Sequence, residues 1–232
     1  MDDLQSEKEQ IEEIRAWWSE YYLVIIAGIA VAVGGMLGFN YYKDAKLAAQ
    51  VAASELFETL AEHVGNGDLD AAEAVASELV TEFPSTPYAA NSRLAMARLY
   101  MDQNRDQDAV DMLEELLGMS SGEDLQGVAR LRLARVLLYQ EKAQEVVDLL
   151  STVDEPGFAE LYDEVLGDAH AALGDYASAA EAYGRAMADP ASSTVIDRAL
   201  IQMKLVDLPE VVATVAEDAV TEDAVTEDGV TE

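Results

Sequence analysis

Arginine is the residue whose placement in this chain could do something specific. Only 14 of 232 residues are basic, yet Arg93, Arg98, Arg130, Arg132 and Arg135 fall in two short stretches. Arg98 and Arg135 each follow a small residue, Ala97 and Ala134. Leu94 and Met101 flank the first one turn either way, and Leu131 and Leu138 flank the second. Residues at i, i+4 and i+7 share one helix face. Each face therefore offers a guanidinium set between apolar contacts, which is chemistry for holding a partner's carboxylates by charge-assisted hydrogen bonds. The plainer alternative is that these arginines neutralise surplus surface acids, and the residues alone leave both readings open.

Other chemistry finds little support. There are no cysteines and two histidines, His63 and His170, so thiol chemistry, a zinc ribbon and a multi-histidine metal site are excluded. The chain contains no nucleophile elbow, phosphate-binding glycine loop, H-E-x-x-H or EF-hand loop. Gly65 to Asp70 lacks the later ligands of a calcium loop and reads as an inter-helical turn. His170, on an apolar helix, reads as a core or hairpin-contact residue rather than a general base. We expect a non-catalytic protein with no cofactor and no metal. Acids outnumber bases 46 to 14, giving a formal charge of −32 that repels nucleic acid and anionic headgroups. Lysine is scarce at five residues, a balance found in proteins that work at high ionic strength, where screening relieves self-repulsion.

The elements that must position those arginines separate by composition. Residues 1–20 are an acidic segment, with seven carboxylates against Lys8 and Arg15. Residues 21–42 carry no charge, and Leu23 to Phe39 is an unbroken run of 17 apolar or glycine residues. At about 1.5 Å per residue, the whole uncharged segment crosses a hydrocarbon core of roughly 30 Å. Trp17, Trp18, Tyr21 and Tyr22 stand before it and Phe39, Tyr41 and Tyr42 after it, as an aromatic belt does at both interfaces. A buried core helix would not need those brackets. A cleaved signal peptide would begin with a short basic region, not an acidic one. The segment reads as a retained anchor. Lys8 and Arg15 balance Lys43 and Lys46, so charge does not orient it. Gly34 and Gly38 form G-x-x-x-G, and Gly28 with Ala32 repeats the spacing, which makes these four a candidate packing face in lipid.

Residues 43–208 repeat a helical hairpin. Ala72, Ala109, Val146 and Ala179 are matched second-helix positions, 37, 37 and 33 residues apart. Turns fall at Gly65-Asn66-Gly67, Asn104, Glu141-Lys142 and Gly174-Asp175. The last copy is the clearest: Leu166-Gly167, Gly174-Asp175-Tyr176, Ala179, Tyr183 and Ala186 fall at the spacings of a tetratricopeptide repeat, with Pro190 close behind. One hairpin cannot bury its apolar stripe alone, so several must stack. Residues 192–208 should form a capping helix started by Ser192 or Ser193. Its stripe would be Val195, Ala199, Leu200, Met203 and Val206, and it should end at Leu208-Pro209. Residues 209–232 hold eight acids and no base in the repeat AVTED-AVTED-GVTE, and read as a solvated, disordered tail. The expected fold is all-α: a single N-terminal transmembrane helix, then a tetratricopeptide-like α-solenoid of about four hairpins plus a capping helix.

Taken in order, EEIRAWWSEYY, the glycine-rich span ending GFNYYKDAK, LRLARV at 131–136 and QMKLVDL at 202–208 resemble a known family. This is the YfgM-type ancillary subunit of the bacterial SecYEG translocon, whose repeat module is shared with a cell-division coordinator protein. The resemblance covers roughly residues 8–208. It implies a single-pass inner-membrane protein with a cytoplasmic N-terminus and periplasmic repeats. As partners it implies the SecYEG translocon and a membrane-anchored prolyl-isomerase-like periplasmic chaperone, with no catalysis. In tetratricopeptide domains that bind peptides, the place of Arg98 and Arg135 lines the concave groove. The alternative use of the same repeats is a cell-envelope or cell-division scaffold.

Overall fold

The computed structural model describes residues 2–119, 122–188 and 196–209, and these are helical throughout apart from turns. Nine α-helices follow in order among the described residues: α1 (Asp2–Asn66), α2 (Leu69–Glu82), α3 (Pro87–Asp102), α4 (Asp106–Leu117), α5 (Glu123–Tyr139), α6 (Ala143–Leu150), α7 (Ala159–Leu173), α8 (Tyr176–Ala186) and α9 (Arg198–Val206). A 3-10 turn, Pro156–Phe158, precedes α7. The chain divides into two compact units, Met1–Ser54 and Glu55–Glu232.

The first unit is the N-terminal stretch of α1, which runs unbroken through the composition boundaries at 20/21 and 42/43. It is long and apolar enough to cross a membrane, with mean hydropathy 2.3 over its most apolar window and none of that window buried by protein. Ile26, Val31 and Leu37 are all more than half exposed. Apolar surface of that extent is stable only against an apolar surround. The flanking aromatics make local contacts: the Trp17 and Tyr21 rings lie 5.7 Å apart, and Lys43 Nζ stands 5.9 Å over Phe39.

The second unit is the stack of hairpins. Each turn reverses the chain through one residue in the left-handed region: Gly67 (φ 71°), Asn104 (58°), Glu141 (61°) and Gly174 (79°). These four keep the 37, 37, 33 spacing. After each, the same backbone bond closes the turn: Asp68 N donates to His63 O, Arg105 N to Tyr100 O, Lys142 N to Leu137 O and Asp175 N to His170 O, at 2.8–3.0 Å. Glycine adopts this conformation freely and asparagine tolerates it, whereas glutamate is strained there. Asp68 and Asp175 also cap the helices that follow, accepting from Ala71 N and Ser178 N.

Packing follows the same register. Ala72, Ala109, Val146 and Ala179 are all fully buried. The matched first-helix positions are Leu60, Ala97, Ala134 and Gly167, and sixteen residues beyond them stand Ala76, Leu113, Leu150 and Tyr183. All eight are buried. Size trades across the register, large with small: Leu60 with Ala76, Ala97 with Leu113, Ala134 with Leu150, and Gly167 with Tyr183. In the last pair the trade is forced, because a Cβ on Gly167 would lie 2.4 Å from Tyr183 Cε1.

Helix α9 departs from its sequence-based expectation. Ser192, Ser193, Val195 and Pro190 lie outside the described residues. Asp197 is the cap, accepting from Ala199 N at 3.1 Å and Leu200 N at 3.2 Å. The expected stripe faces outward, with Leu200 40%, Met203 59% and Val206 60% exposed. Instead Ile201 is fully buried, joined by Ile196 and Leu208 against Ala179, Tyr183 and Ala186. The helix carries two apolar stripes. Capping at Asp197, with burial on α8, selects the one through Ile201, Leu205 and Leu208. The helix ends at Val206 so that Leu208 can turn back into the core. Of the expected tail, 209–232, residues 210–232 lie outside the described residues.

Candidate functional site

Helices α3 and α5, the first helices of the two middle hairpins, present the arginine faces. Between them lies a cleft of about 260 Å³, floored by Ala97, Leu113 and Val136 and rimmed by Arg98, Met101, Asp102, Arg132 and Arg135. The small residues before Arg98 and Arg135, Ala97 and Ala134, are buried where the hairpins approach. A second cleft of about 480 Å³ runs from Arg98 and Arg132 past Leu94 to Phe57 and Val64. Arg98, Asp102 and Arg132 are common to both.

The structure thus brings together Arg98, Met101 and Arg135, with Leu94 in the adjoining cleft. Leu131 is 8% exposed and Leu138 half-buried, and neither lines either cleft. Their faces are taken up by the neighbouring helices. Arg132 was not among the expected groove residues, although its place one turn before Arg135 on the same face carries the signal. Asp102, four residues after Arg98, was missed in the same way.

The rim arginines are loosely engaged. Arg98 Nε stands 3.8 Å from Asp102, Arg135 Nη2 3.9 Å from Glu164, and Arg132 Nη1 donates to Leu94 O at 3.3 Å. Elsewhere guanidiniums are held close. Arg105 donates to Asp108 at 2.5 Å and Glu73 at 2.8 Å, Arg185 to Asp163 at 2.6 Å, and Arg130 pairs tightly with Glu155. Planar guanidinium donors at such long range can accept a further carboxylate without breaking a strong bond.

The last hairpin inverts the pattern. Glu164 and Asp168 occupy the register places of Leu131 and Arg135, and Lys204 of α9 donates to them at 3.2 and 2.8 Å. Burial disfavours the Lys204 charge, but the bonds to Asp168 and Glu164 outweigh it and hold its pKa above the ordinary lysine value. Burial, with Asp168 accepting from its hydroxyl at 2.7 Å, also pushes the Tyr183 phenol well up. Tyr100 is pushed up to about 12 by burial and its bond to Glu73, and Tyr162 to about 12 by burial and Glu155. The two histidines occupy one register place in the first and last hairpins, with Nδ1 3.7 Å from Asp68 for His63 and 3.6 Å from Asp175 for His170. Bonds from Ser178 hold the Asp175 carboxyl below its usual range, with a smaller contribution from His170.

In α1 the four small residues of the expected packing face do not share one face. At about 100° per residue, Gly34 and Gly38 lie roughly 120° round from Gly28 and Ala32. Gly35 joins the latter pair instead. A Cβ added at any of these glycines meets nothing within 4 Å.

Stacked antiparallel hairpins that pair large with small residues in one register, with a cleft on their first helices, define a tetratricopeptide-type interaction scaffold. The chain belongs to the tetratricopeptide repeat-like domain family, whose family model matches residues 15–210. It is similar to the ancillary SecYEG translocon subunit of Aggregatibacter actinomycetemcomitans, 26% identical over 202 residues, covering 87% of this chain and 97% of that one. The protein of the same name from Escherichia coli (strain K12) is 26% identical over 208 residues, covering 90% and 99%. Among solved structures, kinesin light chain TPR-like repeats from Podosopora anserina match with a TM-score of 0.52 at 20% identity, over 76% of this chain and 94% of that one. That likeness speaks for the fold.

Proposed function

We propose that this is a membrane-anchored, non-catalytic interaction protein of the protein-export machinery, associated with a SecYEG-type translocon and linking it to periplasmic chaperones. The observation that carries the reading is the near full-length similarity to proteins named ancillary SecYEG translocon subunit. The N-terminal segment faces the cytoplasm, residues 21–42 span the membrane, and the repeats face the periplasm. The arginine cleft takes an acidic segment of a partner, with Met101 and Leu94 adding apolar contact.

The test is crosslinking followed by affinity capture of the full chain from detergent. Translocon subunits are expected in the complex, together with a membrane-anchored prolyl-isomerase-like chaperone. An anchor-dependent complex lacking translocon subunits overturns the association, and one lacking only the chaperone overturns the linkage. Because the chain has no cysteine, orientation can be read cleanly. A cysteine at Ser85 should react with an impermeant thiol reagent in spheroplasts and one at Ser6 should not. The reverse pattern overturns the periplasmic placement.

A further inference from the structure

We propose that the arginine cleft is occupied, when no partner is bound, by this chain's own acidic C-terminal segment, residues 210–232. The inference rests on the reading of the cleft as a site for acidic segments. Four observations carry it.

The first is charge. The segment contains Glu210, Glu217, Asp218, Glu222, Asp223, Glu227, Asp228 and Glu232 and no base. Three guanidiniums, those of Arg98, Arg132 and Arg135, rim the cleft. In a chain of net charge −32 such a cluster is a rare favourable destination for an acidic strand.

The second is spare bonding capacity. The rim contacts at 3.3–3.9 Å leave guanidinium donors uncommitted, while Arg105 and Arg185 are held by carboxylates at 2.5–2.9 Å.

The third is reach. Arg135 is one carboxylate away from α9, since Glu164 stands 3.9 Å from Arg135 and 3.2 Å from Lys204. The segment starts four residues after α9 ends, and 23 residues can extend to about 75 Å at roughly 3.3 Å each. A short tether of this kind gives an effective concentration on the order of millimolar, so a weak intrinsic affinity suffices.

The fourth is separateness. The segment falls almost wholly beyond residue 210, where the family match ends. It is therefore an addition to the repeat scaffold, with its doubled AVTED presenting the same acidic pair at a five-residue interval. Occupation of this kind makes the cleft selective. A partner must outcompete the tail, so weakly acidic chains are turned away.

The experiment uses the full chain in detergent micelles and a fluorescein-labelled peptide, AVTEDAVTEDGVTE, read by anisotropy. Three chains are compared: the natural one, one with every Glu→Gln and Asp→Asn in residues 210–232, and the neutralised chain carrying Arg98→Glu and Arg135→Glu. The neutralised chain should bind the peptide about tenfold more tightly than the natural one, and the arginine changes should remove binding. Equal, arginine-dependent affinity in the first two chains overturns the tail's occupancy and leaves the cleft reading standing. Absence of arginine-dependent binding to the neutralised chain overturns the cleft reading, and this inference with it. Thermal melts confirm folding, and Arg98→Gln with Arg135→Gln replaces the glutamate pair where that pair melts early.

Discussion

The two middle hairpins and the last one are built on one register, yet they treat the face of their first helices in opposite ways. In α3 and α5 the equivalent place carries Arg98 and Arg135, over half exposed at the rim of an open cleft. In α7 that place is Asp168, and Lys204 of α9 holds it at 2.8 Å. The difference teaches how the scaffold divides its labour. Where charges are satisfied within the chain, the face is closed and serves stability. Where guanidiniums keep only long contacts, the face is open, and this is the face we propose for binding. Tight ion pairs gain from partial burial, whereas exposed pairs near 4 Å contribute little.

The contrast can be broken most directly at the rim. Arg98→Glu with Arg135→Glu should weaken binding of an acidic partner by about 2–5 kcal/mol, with the melting temperature nearly unmoved. A matching loss of stability with unchanged affinity would mean that these arginines belong with the closed hairpin.

Next in size is Gly167→Ala. Its Cβ would meet the Tyr183 ring at 2.4 Å, and that ring is pinned by its bond to Asp168. Overpacking costs about 1–3 kcal/mol, against about 0.5–1 kcal/mol gained by removing glycine from a helix. A net loss of about 1–2 kcal/mol in chemical denaturation is expected. Adding Tyr183→Leu, which recreates the Ala134–Leu150 pairing, should recover part of it. Gly184→Ala, with nothing within 4 Å of its Cβ, serves as the control and should stabilise.

Lys204→Met tests the closed end. It leaves Asp168 without its close cation and Glu164 with only Arg135 at 3.9 Å, and should cost about 1–2 kcal/mol, discounted for partial exposure. The pH dependence has a definite sign. The folded pKa of Lys204 lies above its ordinary 10.5, so its contribution is complete below 10.5 and lost as pH rises through the folded value. Amide exchange of α9 should accelerate in that alkaline window in the natural chain. In Lys204→Met it should already be fast at neutral pH. An α9 equally protected in both would detach the closing role from Lys204.

The smallest effect is a gain. Glu141 is the one turn residue of the four that is neither glycine nor asparagine, at φ 61°. Glu141→Gly should stabilise by up to about 1 kcal/mol, while Asn104→Gly changes little. A loss at Glu141 would show that its side chain contributes more than its backbone costs.

Much of this was legible in the chain itself. The 37, 37, 33 spacing named the hairpins because a stack can bury its helices only if small residues recur where helices approach. The four turns were marked by the residues around them for the same reason. The uncharged stretch bracketed by aromatics named the membrane-competent helix, since length and hydropathy are local properties. Leu60 went unseen as the first copy of the small position because the register there is inverted, with the large residue first and Ala76 opposite.

What only the tertiary structure decided is which of several equivalent local patterns is used. Helix α9 has two apolar stripes, and nothing in its own sequence prefers Ile201 to Leu200. The surface of α8 chose. Leu131 and Leu138 share a face with Arg135 by spacing, yet neighbouring helices cover that face unevenly, so the arginine reaches the cleft and the leucines do not. Lys204 became part of the picture only when α9 lay beside α7, more than 30 residues away in sequence. Periodicity fixes what a helix can present, because it depends on residues one turn apart. Which presentation is used depends on partners 30 or more residues away, and those are set by the packing of the whole stack.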